Sequence, residues 1–349
     1  MLDLYNSGFA FDNDNNYIMV DSDYPNIDII YIKEFNTPGL DIFFNKTNLD
    51  HCIPEIPSTI KYLRLNCRAV HYKNLIWSST LEYLQLILSL SDILDDNILD
   101  FITLPSDIKS LSISIIQDPD NIQYQDDTTI NDQVEKLLNN INFKIPKNIE
   151  YLKINFQIPN IEEYTNLKVL VLDGCENTEF NYPLDNLPAS LEWLEIHSLQ
   201  FNQPLENLPA GLKVLIFRQN RIWNYHDGYQ HSLDGLPSGL EVLHFPESCT
   251  PEGIKYLATF ENLPPTLKLL RIPRVMVADM NYDCLPDSIE ILEWFEFRGV
   301  YDKVSRFPAN LKKIKCNFDS NSNDEQNKIL KYFENMPFII EDYMKDIYY

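Results

Sequence analysis

His226, Asp227 and His231 fall within six residues and are the nearest approach in this sequence to a metal-ligand set. Their H-x4-H spacing is not a standard helical ligand pair, and no cysteine lies nearby to complete a tetrahedral site. They read as histidines on the surface of a loop. Asp118, Asp120, Asp126 and Asp127 also cluster, but the glycine and terminal glutamate of a calcium loop are missing. That cluster reads as a solvated charge run. Cys52, Cys67, Cys175, Cys249, Cys284 and Cys316 stand far apart with no C-x2-C pair. They read as free, mostly buried thiols of a reducing compartment. No G-x-S-x-G, H-E-x-x-H, Walker A or G-x-G-x-x-G sequence occurs, and only 9 glycines are available for phosphate loops. The expectation is a protein without catalytic residues, metal or cofactor.

Charge narrows the partners. The 349 residues carry a formal net charge of −24. Such a surface repels nucleic-acid phosphates and anionic lipid headgroups. It favours a basic protein partner, or it serves only to keep the protein soluble, which is the simpler reading. Neither a signal-peptide pattern nor an apolar stretch of membrane-spanning length is present. An intracellular, reducing location is expected, with no membrane and no nucleic-acid partner.

The elements that would position any site come from a repeat. An apolar residue, Pro, two small or polar residues and then L-x-x-L-x-L recur along the chain. Examples are IPSTIKYLRL at 56–65, LPSDIKSLSI at 104–113, LPSGLEVLHF at 236–245 and FPANLKKIKC at 307–316. Two copies lack the proline, WSSTLEYLQL at 77–86 and EYTNLKVLVL at 163–172, which brings the total to eleven. Alternation in L-x-L sends the two apolar residues to one face of a short strand. Proline belongs to the loop leading in, because it lacks an N–H. One unit cannot bury its apolar face, and stacked units share a core.

A charged column supports parallel stacking. After the first apolar residue stand Lys61, Glu82, Lys109, Glu150, Lys168, Glu192, Lys213, Glu241, Lys268, Glu290 and Lys312, alternating in sign throughout. In a parallel stack, equivalent residues are ~4.8 Å apart. Alternation then replaces repulsion by attraction of roughly 0.2–1 kcal/mol per pair. The eleven segments are therefore expected to be consecutive strands of one parallel sheet, with no strand inserted between the third and fourth copies.

The core resembles leucine-rich repeats, with Cys175 and Asn220 where that family places its Asn or Cys. The phrase F-N-x-P-L-x-x-L-P-x-x-L, at 180–191 and again at 201–212, more specifically resembles the FNIP repeats of social amoebae and amoeba-infecting giant viruses. Residues 229–240 look like a degraded copy. The resemblance implies a curved repeat scaffold, usually of unassigned biochemical role, with a parallel sheet on its concave face and mostly loops and short helices on the convex side. It also implies host cytoplasm or a virion as location if the protein is viral. Some relatives carry an F-box-like segment, and no convincing one is found here.

The expected organisation is an N-terminal cap (1–55), a solenoid (56–317) and a C-terminal helical cap and tail (318–349). Ile27, Ile30 and Ile32 suggest a degenerate first strand, with Asp28 continuing the charge column. Residues 323–336 read as an amphipathic helix with Ile329, Leu330 and Phe333 on its apolar side. Insertions are expected at 87–103 and 114–144, each with a helix, and at 218–235, a basic, aromatic loop.

Strand residues facing away from the core form a stripe. Its aromatic members are Tyr62, Tyr83, Tyr151 and Trp193, with Arg271 in the neighbouring row. An apolar stripe where water belongs marks an interface, or it marks side chains that stabilise the sheet by stacking sideways. The functional expectation is a protein-binding scaffold. It would use the concave residues Tyr62, Tyr83, Tyr151, Trp193 and Arg271 and the loop residues Arg221, Trp223, Tyr225 and His226. A self-associating structural or virion component, and the target-recognition subunit of a ubiquitin-ligase adaptor, are the alternatives.

Overall fold

The computed structural model describes residues 17–21, 39–43, 56, 58–66, 76–89, 103–116, 144–174, 180–198, 201–218, 229, 231–244, 260–272, 281–294, 304–316, 327 and 330–342. The chain divides into two compact units, residues 1–178 and 179–349. In the first unit the strands are β1 (Tyr17–Asp21), β2 (Gly39–Phe43), β3 (Tyr62–Asn66), β4 (Tyr83–Ser89), β5 (Ser110–Ile116), β6 (Tyr151–Ile154) and β7 (Val169–Asp173). The second holds β8 (Trp193–His197), β9 (Val214–Phe217), β10 (Val242–His244), β11 (Leu269–Ile272), β12 (Ile291–Trp294), β13 (Lys313–Cys316) and β14 (Ile339–Asp342). Within each unit, strands pair in parallel with their chain neighbours.

The register places the motif in columns. Leu63, Leu84, Leu111, Leu152 and Leu170 are partners in the first unit. Leu194, Leu215, Leu243, Leu270, Leu292 and Ile314 are partners in the second. All are 0% exposed. Full burial of each such side chain contributes about 1.5–3 kcal/mol, so this column outweighs every surface contact described below. The third and fourth copies are adjacent, because β5 pairs directly with β6.

Proline opens a turn that aims the chain into each strand. The carbonyls of Pro105, Pro146, Pro188, Pro209, Pro237, Pro264, Pro286 and Pro308 accept from the N–H of the apolar residue three places on. That apolar residue is buried each time, from Ile108 to Leu311. The copies without proline keep the same bond, from Leu81 to Ser78 and from Leu167 to Tyr164. The turn thus needs only a carbonyl acceptor there, and proline restricts the approach without being essential to it.

The charged column forms the expected ladder. Lys61 meets Glu82 at 2.7 Å, Lys213 meets Glu192 at 2.8 Å, Lys268 meets Glu241 at 2.7 Å and Lys312 meets Glu290 at 2.6 Å. Glu150 lies between Lys109 at 3.1 Å and Lys168 at 3.4 Å. Partial burial works to raise the Glu150 pKa, but the two ammonium groups outweigh it and hold the carboxyl below its usual value. These pairs are largely solvated and contribute about 0.2–1 kcal/mol each. Their main effect is on register, since a slip by one repeat would oppose like charges.

A second set of ladders runs through the loops. Asn202 N–H donates to Asn181 Oδ1 at 2.9 Å, one repeat back. Asn207 donates to Asp185, and Asn262 to Asp234, each at 2.7 Å. Phe180 and Phe201 stack with centroids 6.5 Å apart, and Phe217 follows at 5.8 Å and Tyr229 at 6.2 Å. Tyr229 therefore fills a phenylalanine place, and the degraded copy is a working repeat. A Cβ on Gly235 would meet Glu206 Cα at 2.6 Å, so the close approach of these two loops requires glycine there.

Several expectations change. The ladder extends past both ends of the recognisable motif. The neighbour of β3 is β2, drawn from GLDIF, rather than the IDIIYI segment. Ile27, Asp28, Ile30 and Ile32 lie outside the described residues. β4 and β5 run three residues into the segments read as insertions, because the alternation continues through Leu88 and Ile115, which are buried. The helices expected in those insertions also lie outside the described residues. At the C-terminus, Asn327 and residues 330–333 are helical. Phe333 is buried against Phe307 and Phe338, at 5.7 Å from each. Leu330 is 49% exposed and does not belong to the buried side.

Candidate binding face

Opposite the core, each strand presents two outward positions two residues apart. In the first unit the row Tyr62, Tyr83, Ser110, Tyr151 and Val169 is in register. Tyr62 is half-buried, but Tyr83 and Tyr151 are only 2% and 1% exposed. The exposed aromatic stripe expected there does not exist, because a closed ring offers no surface to a partner. The cause is Ser110, which stands between the two tyrosines in the register. Its small side chain leaves the rings 6.4 Å apart, tilted toward each other. Burial pushes the Tyr83 phenol up to about 12. At these positions sideways stacking prevails.

The second unit differs. Its first outward row is Trp193, Val214, Val242, Leu269, Ile291, Lys313 and Ile339. Trp193, Val242, Leu269 and Ile291 are half-buried, and Ile339 is 61% exposed. The second row is Glu195, Ile216, His244, Arg271, Glu293, Lys315 and Glu341. From Arg271 onward its charges alternate, with Lys315 Nζ 3.8 Å from Glu293. Lys313 reaches Glu341 at 2.9 Å.

At the β8 end of this row Glu195 is fully buried. Its Oε1 receives His197 Nε2 and Arg218 Nε, each at 2.5 Å. A buried carboxylate is tolerated only with such partners. His244 is held well below the ordinary imidazole value, at about 4, first by burial and then by Arg271, Arg218 and Lys315, with Glu195 opposing.

Of the residues expected to bind a partner, Trp193 and Arg271 are thus on one half-open face, Tyr62 is half-buried in the other unit, and Tyr83 and Tyr151 are closed. Arg221, Trp223, Tyr225 and His226 lie outside the described residues, as do Cys175 and Asn220. His231 bonds the Asn202 carbonyl at 2.9 Å and sits 5.6 Å from the Tyr229 ring, so it is a member of the repeat loop. Among the described residues no group of three His, Cys, Asp or Glu side chains is placed to hold a metal, and no helix is long and apolar enough to cross a membrane.

Two features are not legible in the repeat pattern. Glu195 and His197 lie two apart on a strand, which puts them on one face, but their closure with Arg218 crosses strands. Asn155, 5% exposed, clamps Ile115 through both its N–H and C=O at 2.9 and 2.7 Å. Its position directly after the last core residue of its strand carries no warning of that role.

No family model matches the chain, and no curated protein matches it. Among solved structures it is similar to CroV588, described as a novel circular LRR protein, with 16% identity and a TM-score of 0.30 over 82% of this chain and 52% of that one. The chain spans about half the length of the structure it matches. Its own strand register defines a leucine-rich-repeat-like parallel β fold, and such a fold fits a protein-interaction scaffold.

Proposed function

We propose that this chain is a non-catalytic scaffold that binds a protein partner through the outward face of β10–β13. The observation that supports this is the row Val242, Leu269 and Ile291, in register and half-buried on the side away from the core. A paired sheet already fixes the backbone that carries these side chains, so little backbone freedom remains to be lost on association. Apolar groups beside Arg271 suit the centre of an interface. The FNIP-like phrase is consistent with a scaffold, since the positions its two copies share serve turns, ladders and core.

Leu269→Asp tests the reading. Tagged wild type and variant are used as baits in extracts of the native host, with thermal midpoints measured as a control for folding. At least one protein is expected to fall more than ten-fold in the variant capture at an unchanged midpoint. Identical captures would overturn the proposal.

Self-association is a second reading, favoured by Leu330, Tyr332, Met336 and Ile339, which are 49%, 36%, 36% and 61% exposed at the end of the second unit. Light scattering should then show a mass that rises with concentration and returns to one chain in Leu330→Glu with Ile339→Lys. A wild-type mass constant at one chain removes this reading.

A further inference from the structure

His244 stands between Ile216 and Arg271 on the outward face. Its Nε2 is buried, with no hydrogen-bond partner among the described residues. Buried polar atoms are ordinarily satisfied, so this nitrogen marks a place where a polar group from outside would be accepted. The charged groups that act on it are Arg271 of β11, Arg218 just after β9, Lys315 of β13 and Glu195 of β8. Three of the four are cations. The carboxylate among them is already held by Arg218 and His197. Glu293 of β12 lies in the same row, 8% exposed and turned toward Lys315.

The chain as a whole carries −24, which favours basic partners at long range. Charges beyond about 8 Å are largely screened at physiological ionic strength, so the local cations decide what is accepted at His244. Two residues back along the same strands stand Val242 and Leu269, a separation of ~6.6–6.8 Å. An extended segment repeats its same-side residues at that distance.

We propose that this face recognises an acidic, amphipathic extended segment of a partner protein, with a carboxylate seated between His244 and Arg271 and an apolar side chain two residues away on Val242 and Leu269. This rests on the protein-binding reading above and names the chemistry of its partner. The carboxylate supplies the acceptor that Nε2 lacks, and Arg271 provides a charge-assisted bond. A basic segment would meet Arg271, Arg218 and Lys315 as like charges.

The probe is the capped peptide Leu-Ser-Glu-Ser-Leu-Ser-Glu, titrated into the full chain at pH 6 while the His244 ring signals are followed by NMR. Analogues carry Gln or Lys in place of Glu. A saturable shift is expected with the Glu peptide, at least ten-fold weaker with the Gln analogue and absent with Lys. Arg271→Gln, at an unchanged thermal midpoint, is expected to weaken the Glu peptide at least ten-fold. Equal binding of the Glu and Gln peptides, tighter binding of the Lys peptide, or no saturable shift overturns the proposal. A captured partner that is lost in Leu269→Asp but indifferent to Arg271→Gln sinks the acidic-segment proposal and leaves the scaffold reading standing. A partner indifferent to both sinks the two together.

Discussion

Tyr151→Ala is expected to destabilise the protein by about 3–5 kcal/mol, the usual cost of removing a large ring from a closed site. Tyr151 is 1% exposed and its ring lies 6.4 Å from that of Tyr83 across Ser110. Truncation would remove its own buried area and also uncover Tyr83, which is 2% exposed. Urea denaturation measures the change. Tyr62→Ala, at a half-buried position of the same row, is the comparison and should cost clearly less. A loss of about 1 kcal/mol or less for Tyr151→Ala would mean that the ring is a surface group after all. Partner binding lost in such a variant would report unfolding of the first unit, so interface mutations belong on β10–β13.

The second large effect is a pH dependence centred on His244. Its folded pKa is about 4, below the ordinary 6.5, because burial and the cations Arg271, Arg218 and Lys315 disfavour the imidazolium. As pH falls below 6.5 the unfolded chain takes up the proton and the folded chain does not. Stability contributed by the neutral ring is therefore complete above 6.5 and lost progressively as pH falls toward 4. A gap of about 2.5 pKa units between 6.5 and about 4 corresponds to about 3 kcal/mol. Many carboxylates titrate in the same range, so the measured quantity is a difference. Between pH 7 and 4, wild type should lose about 3 kcal/mol more than His244→Gln. Parallel pH profiles would show that His244 takes up its proton freely in the folded protein.

Much of the ladder could be read before the structure. Eleven alternating charges could follow one another only if their strands do, and the pairs at 2.6 to 3.4 Å bear this out within each unit. The doubled phrase at Phe180 and Phe201 was legible as shape, and each of its letters now has a task. Phe stacks, Asn bonds its counterpart, Pro opens the turn and Leu fills the core. The strands β1, β2 and β14 were not legible, because a terminal strand need not repeat the proline turn or the charge that identify the others.

The candidate site was only half legible. Spacing alone placed Tyr151 and Leu269 in the same outward column, as chemically similar candidates. Their fates diverge because burial depends on the neighbour in the next strand. Serine beside Tyr151 lets two rings close over it, whereas Val242 and Ile291 flank Leu269 without covering it. The cluster of Glu195, His197 and Arg218, and the isolated Nε2 of His244 beside Arg271, likewise join residues tens of positions apart. By itself the sequence determined the repeat, the strand register and the column each residue occupies, since these follow from periodicity and charge sign. Only the tertiary structure decided which outward positions are closed and which remain open, because that depends on side-chain volumes meeting across strands, a quantity that no single repeat contains.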